Sequence, residues 1–170
     1  MNEKEFSHVI SLGWFCSIAL EIERIGLRDA SYPFDWLLTQ SFKDVLMLIE
    51  NRFQDWLEYD DMWQYDIDPA HWYNKRFRIS FFHDFKKSRR LKNQLDAVTE
   101  KYNRRIKRFF IAISEPTLFI RYIYNQKEAD FISKNFKNIE NSLKKYNRQN
   151  QIIYISNAEI ETDFKTFAVK

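Results

Sequence analysis

Chain-breaking residues are scarce in this sequence. Of 170 residues, 2 are glycine and 3 are proline, so Gly13, Gly26, Pro33, Pro69 and Pro116 mark turns that little else enforces. The single cysteine, Cys16, excludes an internal disulfide and a cysteine-based zinc site built by this chain alone. No His pair has ligand spacing and the acidic stretches lack an ion-loop pattern, so no metal is expected. No apolar run approaches the roughly 20 residues that a membrane-spanning helix needs. Residues 1–5 are charged and lack the apolar core of a secretory signal. The expected setting is therefore reduced, cytoplasmic and without a membrane span. A strong excess of one charge is missing too. With 27 basic against 24 acidic residues the net charge is +3, too small an excess to indicate a nucleic-acid partner.

Aromatic side chains are abundant instead: 16 Phe, 9 Tyr and 5 Trp make up 18% of the chain, and rings of that size dominate a core. The length fits one α/β domain, residues 1–170, and its end on a predicted strand fits a domain truncated at the C-terminus. Residues 9–12 read as a buried strand closed by Gly13. Residues 16–25 follow as a helix with Gly26 as its left-handed end. Residues 27–39 read as a loop packed by Tyr32, Phe34 and Trp36. Ser41 and Asp44 start a second helix, which the apolar spacing carries to Leu57. Residues 58–75 are acidic and aromatic without a period, a structured loop or a lid. Alternation from Phe77 through Ile79, Phe81 and His83 to Phe85 predicts a strand. A long helix is predicted over 88–114, a strand over 117–124, a helix over 128–146, and strands over 151–156 and 164–169. This alternation predicts an α/β fold, layered α/β/α around a mainly parallel sheet, SGNH-like or Rossmann-like rather than two-lobed papain.

Cys16 falls just past the first strand, where ligands sit in parallel sheets, and at the start of a helix. Unpaired N–H groups and the positive end of the helix dipole there favour a thiolate and can hold an oxyanion. This places Gly13 and Trp14 on the expected substrate side. The competing reading is a small apolar residue under the sheet, and position alone leaves both open. A nucleophilic thiol needs a base. His8 precedes the strand core, His71 lies in the acidic loop, and His83 lies among Phe81, Phe82 and Phe85, either as a satisfied core residue or as a site residue. Asp35, in a loop stiffened by Pro33, is the third nominee, or else a cap. Arg121 lies inside the apolar run Leu118–Tyr122, where a charge must pair or bind an anion. Asp35 and Asp84 are its candidate partners, and Arg121 and Asp84 are candidate substrate contacts. The basic run at Arg104, Arg105, Lys107 and Arg108 reads as a solvated helix face.

Ser11-Leu12-Gly13-x-x-Cys16, Tyr32-Pro33-Phe34-Asp35-Trp36, Phe82-His83-Asp84-Phe85, Arg104-Arg105-Ile106 and Phe119-Ile120-Arg121 follow one another in order. In these the chain resembles a bacterial family described as "putative papain-like cysteine peptidase (DUF1796)", over residues 9–156. The resemblance implies a thiol enzyme with Cys16 as nucleophile and His83 as base. It extends loosely to acyltransferase-like proteins of polysaccharide loci. The leading expectation is a thiol-dependent acyl-transfer enzyme, hydrolase or transferase, acting on a small-molecule, peptide or glycan substrate. No cofactor is expected, coenzyme A entering only with the transferase alternative. A second expectation is a non-catalytic carbohydrate or nucleotide-sugar binding module, motivated by the rings of residues 59–73. A third is a structural partner in a surface-polysaccharide assembly.

Overall fold

A computed structural model describes residues 5–68, 70–157 and 159–168. In chain order the elements are β1 (His8–Ser11), α1 (Ser17–Arg24), β2 (Leu37–Thr39), α2 (Phe42–Glu50), β3 (Met62–Gln64), β4 (Trp72–Asn74), β5 (Ile79–Phe81), α3 (Leu95–Ala112), β6 (Thr117–Ile123), α4 (Gln126–Lys144), β7 (Gln151–Ser156) and β8 (Thr166–Ala168), with short 3-10 turns at Tyr59–Asp61 and Leu91–Asn93. Two four-stranded sheets result. The first, in the order β1-β6-β7-β8, is parallel throughout. The second, in the order β2-β5-β4-β3, is antiparallel. The mixed α/β class is as expected, but half of the strands lie where the sequence reads as aromatic loop or as part of one longer strand. Among the described residues there is no two-lobed papain arrangement.

The parallel sheet is covered unequally. Ile18 and Ile22 of α1 pack on one face, against Val9, Ile120, Tyr122, Ile153 and Ile155. The other face joins a larger core that runs through α2, α3, α4 and the antiparallel sheet. Alternate residues of β6 divide between the two, with Phe119 in the larger core and Ile120 in the smaller, as strand geometry requires. Helix α1 closes with Gly26 at φ +75. Gly26 N–H donates to Glu23 at 2.9 Å and Leu27 N–H to Ile22 at 3.0 Å, which is the Schellman pattern.

Helix α2 begins where expected, Ser41 Oγ accepting from Asp44 N–H at 3.3 Å, but stops at Glu50 rather than Leu57. It ends in the same Schellman pattern, with Arg52 N–H on Ile49 and Phe53 N–H on Leu48. Arg52, Phe53 and Asp55 all take positive φ. What this reversal gains is burial of Phe53 and Trp56, which are 5% and 3% exposed. The predicted strand 77–85 contracts to β5, because Arg78 at φ 52 forms a turn and His83 lies beyond the ladder, exposed. The predicted helix 88–114 begins at Leu95. The Gln94 amide accepts from Lys86 N–H and donates to the carbonyls of Lys86 and Arg89, fixing the preceding residues as a loop. Helix α4 starts two residues early, its cap Asn125 accepting from Glu128 N–H at 2.9 Å. The last strand is found at Thr166–Ala168, and Val169 lies outside the described residues.

Candidate active site

The turn that carries Cys16 is fixed from below. Gly13 has φ +81, and its N–H donates to Ser11 Oγ at 3.1 Å. A Cβ there would lie 2.4 Å from Thr39 Oγ1 and 3.3 Å from Arg121 Nη1. The glycine therefore serves close packing on Thr39 and Arg121, and its amide is already engaged, so the expected contact of Gly13 with substrate is not what this geometry provides. Trp14 C=O accepts from Thr39 N–H at 2.9 Å, tying the turn to β2. The Trp14 ring stacks on Tyr124 at 5.1 Å and contacts Tyr122 at 5.5 Å. Cys16 then caps α1 through its carbonyl, which accepts from Leu20 N–H at 3.1 Å. Its side chain is half-buried. Burial pushes the Cys16 thiol up, against the smaller lowering effect of its own backbone amide. Desolvation, which disfavours the charged form, thus acts against the thiolate expected at the helix start.

No hydrogen bond joins Cys16 to a histidine among the described residues. The segments are nevertheless neighbours, because Phe15 meets Phe82 edge-on at 6.4 Å. Histidines lie on both sides of Phe82. His83 is exposed and stands edge-on to Trp36 at 6.2 Å. His71, half-buried, stands edge-on to Phe82 at 4.7 Å, with its Nε2 3.5 Å from Asp68. Sequence reasoning passed over His71 because β4, which places it, spans only three residues. His8 bonds Asp29 at 2.5 Å at the opposite end of β1 from Cys16.

A family model described as "putative papain-like cysteine peptidase (DUF1796)" matches residues 7–155. The chain belongs to this family. It is also 29% identical, across 66% of its own length, to an uncharacterized protein, R408, of Acanthamoeba polyphaga mimivirus, and it spans 60% of that protein. No solved structure matches the chain. The expected bacterial setting and polysaccharide context draw no support from these matches, since the relative is viral.

In this DUF1796 member three of the nominated polar residues hold the fold. Arg121 is fully buried. Its Nε donates to Glu128 Oε1 at 2.7 Å, Nη1 to Leu12 C=O at 2.9 Å and Thr39 Oγ1 at 2.6 Å, and Nη2 to Thr39 C=O at 3.1 Å and Glu128 Oε1 at 2.6 Å. These contacts occupy all of its donors. Its partner is Glu128, not Asp35 or Asp84, and no donor remains for a substrate. Asp84, with its side chain 2% exposed, accepts from Lys101 and from the Tyr102 hydroxyl, so it too is unavailable to substrate. Asp35 accepts from Tyr32 N–H at 2.8 Å and Arg28 Nη2 at 3.2 Å and does not bond His83. Burial pushes its carboxyl up to about 6, the Tyr32 amide and Arg28 opposing. Among the described residues no cluster of His, Cys, Asp or Glu could hold a metal ion, and no helix is long and apolar enough to cross a membrane.

Proposed function

We propose that this protein is a cysteine hydrolase that works by acyl transfer, with Cys16 as nucleophile and His83 as general base, on a layered, SGNH-like or Rossmann-like parallel sheet. The observation that carries the reading is the position of Cys16, half-buried just beyond the carboxyl end of a parallel strand, in a family described by its cysteine chemistry. Beyond Gly13 the amides at the start of α1 lack helical acceptors and are the donors for an oxyanion. The Phe15–Phe82 contact keeps the histidine-bearing segment beside the turn. The thiol rests protonated, so the imidazole takes its proton as substrate binds. Sulfur then attacks the carbonyl and the imidazolium protonates the leaving group. Water, activated by the same imidazole, cleaves the thioester and regenerates the thiol.

A second assignment of the base is favoured by one observation: His71 is the better buried imidazole and has a carboxylate neighbour. Hydrolysis of a p-nitrophenyl ester panel by Cys16→Ser, His83→Ala and His71→Ala proteins tests both. The reading expects C16S and H83A to lose turnover by about 100-fold or more, the range of one general base, with H71A near wild type. Loss in H71A alone moves the base to His71. Full activity in C16S overturns the thiol mechanism. Iodoacetamide labelling supplies the resting state, with a half-reaction pH above the free-thiol value of about 8.5.

A further inference from the structure

His83 is an exposed imidazole that, among the described residues, makes no hydrogen bond or ion pair. The base of a thiol pair is ordinarily oriented by a third group. Neither nominated carboxylate does this: Asp35 serves Tyr32 and Arg28, and Asp84 serves Lys101 and Tyr102. The ring contact of His83 is with Trp36, at 6.2 Å between centroids and 86° between planes. That lies in the edge-to-face range of about 4.5–7 Å that aromatic pairs prefer.

The backbone brings the two rings together at the end of one ladder. Leu37 pairs with Phe81 in the last rung between β2 and β5. Trp36 stands one residue before that rung and His83 two residues after it. Trp36, half-buried, is itself clamped. Asp35 closes the turn that precedes it by accepting from Tyr32 N–H at 2.8 Å. The Arg28 guanidinium lies over the indole, 5.2 Å from the ring centroid, within cation–π reach. Arg28 is anchored in turn: Nη1 donates to Glu23 at 2.9 Å, and Nη2 donates to Ser31 Oγ at 2.9 Å and to Asp35 at 3.2 Å. Its side chain is only 12% exposed. A fixed cation thus backs the indole, and the indole backs the imidazole.

We propose that Trp36 is the positioning residue of the His83 base: an indole clamped by Arg28 does by ring contact what a hydrogen-bonded carboxylate or amide does elsewhere. The inference rests on the reading of His83 as general base and supplies the third member which that reading lacks. A side chain locked by packing keeps a reacting group in its productive rotamer. Asp35 contributes indirectly, by holding Arg28 and the turn. The role is specific to His83, because His71 stands against Phe82 instead.

Kinetics on a p-nitrophenyl ester, with nuclear Overhauser spectra of the whole chain, test it. In wild type, cross-peaks are expected between the Trp36 indole and the His83 ring protons, the latter assigned by their loss in His83→Ala. Trp36→Leu is expected to lower kcat by about fivefold, the share of productive rotamer that a ring contact of this kind commands, and to leave KM within about twofold. It should also move the His83 Hε1 resonance. Trp36→Phe, which keeps a ring, is expected to recover kcat to within about twofold of wild type. Missing cross-peaks in wild type overturn the contact without requiring any variant to fold. Unchanged kcat in W36L beside a slow H83A overturns the role of Trp36 and leaves His83 as base. A loss in W36L confined to KM overturns it too, and assigns Trp36 to substrate binding. Full turnover in H83A overturns the assignment of the base, and the role of Trp36 falls with it.

Discussion

The parallel and antiparallel sheets treat their polar residues in different ways. In the parallel sheet the central polar side chain, Arg121, is fully buried with every donor occupied. In the antiparallel sheet the strands are three residues long, and the edge strand β3 leaves Trp63 63% exposed. Its polar core residues are tied locally: Asn74 bridges Trp56 C=O and Phe77 N–H, and Ser80 bonds the Tyr65 hydroxyl. One sheet is held by a buried charge, the other by rings and short polar links. The two meet at Thr39, which offers both its hydroxyl and its carbonyl to Arg121. The two central strands of the antiparallel sheet, β4 and β5, carry the histidine segments at the end where Trp72 pairs with Phe81.

Removing Arg121 is the strongest way to break this contrast. Arg121→Met leaves Glu128 as an unpaired buried carboxylate and frees the Leu12 and Thr39 acceptors, a loss of about 3–5 kcal/mol. Urea denaturation followed by tryptophan fluorescence and far-UV circular dichroism measures it. Coincident loss of both signals at lower urea is expected if Arg121 joins the sheets. A fluorescence transition that separates from the dichroism would show that they hold together without it.

The next effect acts at the same junction. Gly13→Ala sets a methyl group 2.4 Å from Thr39 Oγ1 at a φ of +81, a cost of about 3 kcal/mol from strain and overpacking together. In a Thr39→Ala background the increment for Gly13→Ala should shrink by more than about 0.5 kcal/mol, the coupling expected of touching residues. Strict additivity would show that backbone strain alone sets the cost.

How much of this was legible in the sequence follows the same division. The parallel sheet was readable because β6 and β7 are continuous apolar runs and α1 has a glycine end at the spacing that its apolar stripe predicts. The antiparallel sheet was not, since a three-residue strand is too short to show a period and its rings read as loop. The end of α2 was hidden because Arg52 takes a conformation usually left to glycine, which only the burial of Phe53 and Trp56 explains. The position of Cys16 was legible from its strand, glycine and helix. Its protonation was not, because desolvation depends on neighbours distant in sequence. The partner of Arg121 lies seven residues on, across a turn, where strand alternation has nothing to say.

Asp35 sharpens the comparison through pH. Its carboxyl is pushed up to about 6 by burial, so the native state holds a proton that the unfolded chain releases at lower pH. Stability at this site therefore falls as pH rises from about 4 to about 6, by up to about 3 kcal/mol. Urea midpoints taken across that range should show the fall in wild type and lack it in Asp35→Asn. An identical slope in both proteins would assign the effect to other groups.

The smallest effect compares two glycines. Gly26 has φ +75, close to that of Gly13, yet nothing lies within 4 Å of the position a Cβ would take. Gly26→Ala therefore carries the conformational cost without a clash, about 1 kcal/mol, and Gly26→Asn less, because asparagine tolerates the left-handed region. Thermal melts of the G26A, G26N and G13A proteins rank them. The expected order places G13A lowest by a clear margin, then G26A, then G26N near wild type. Equal losses in G13A and G26A would mean that the Thr39 contact yields at little cost. The junction between the sheets would then be softer than its saturated arginine implies.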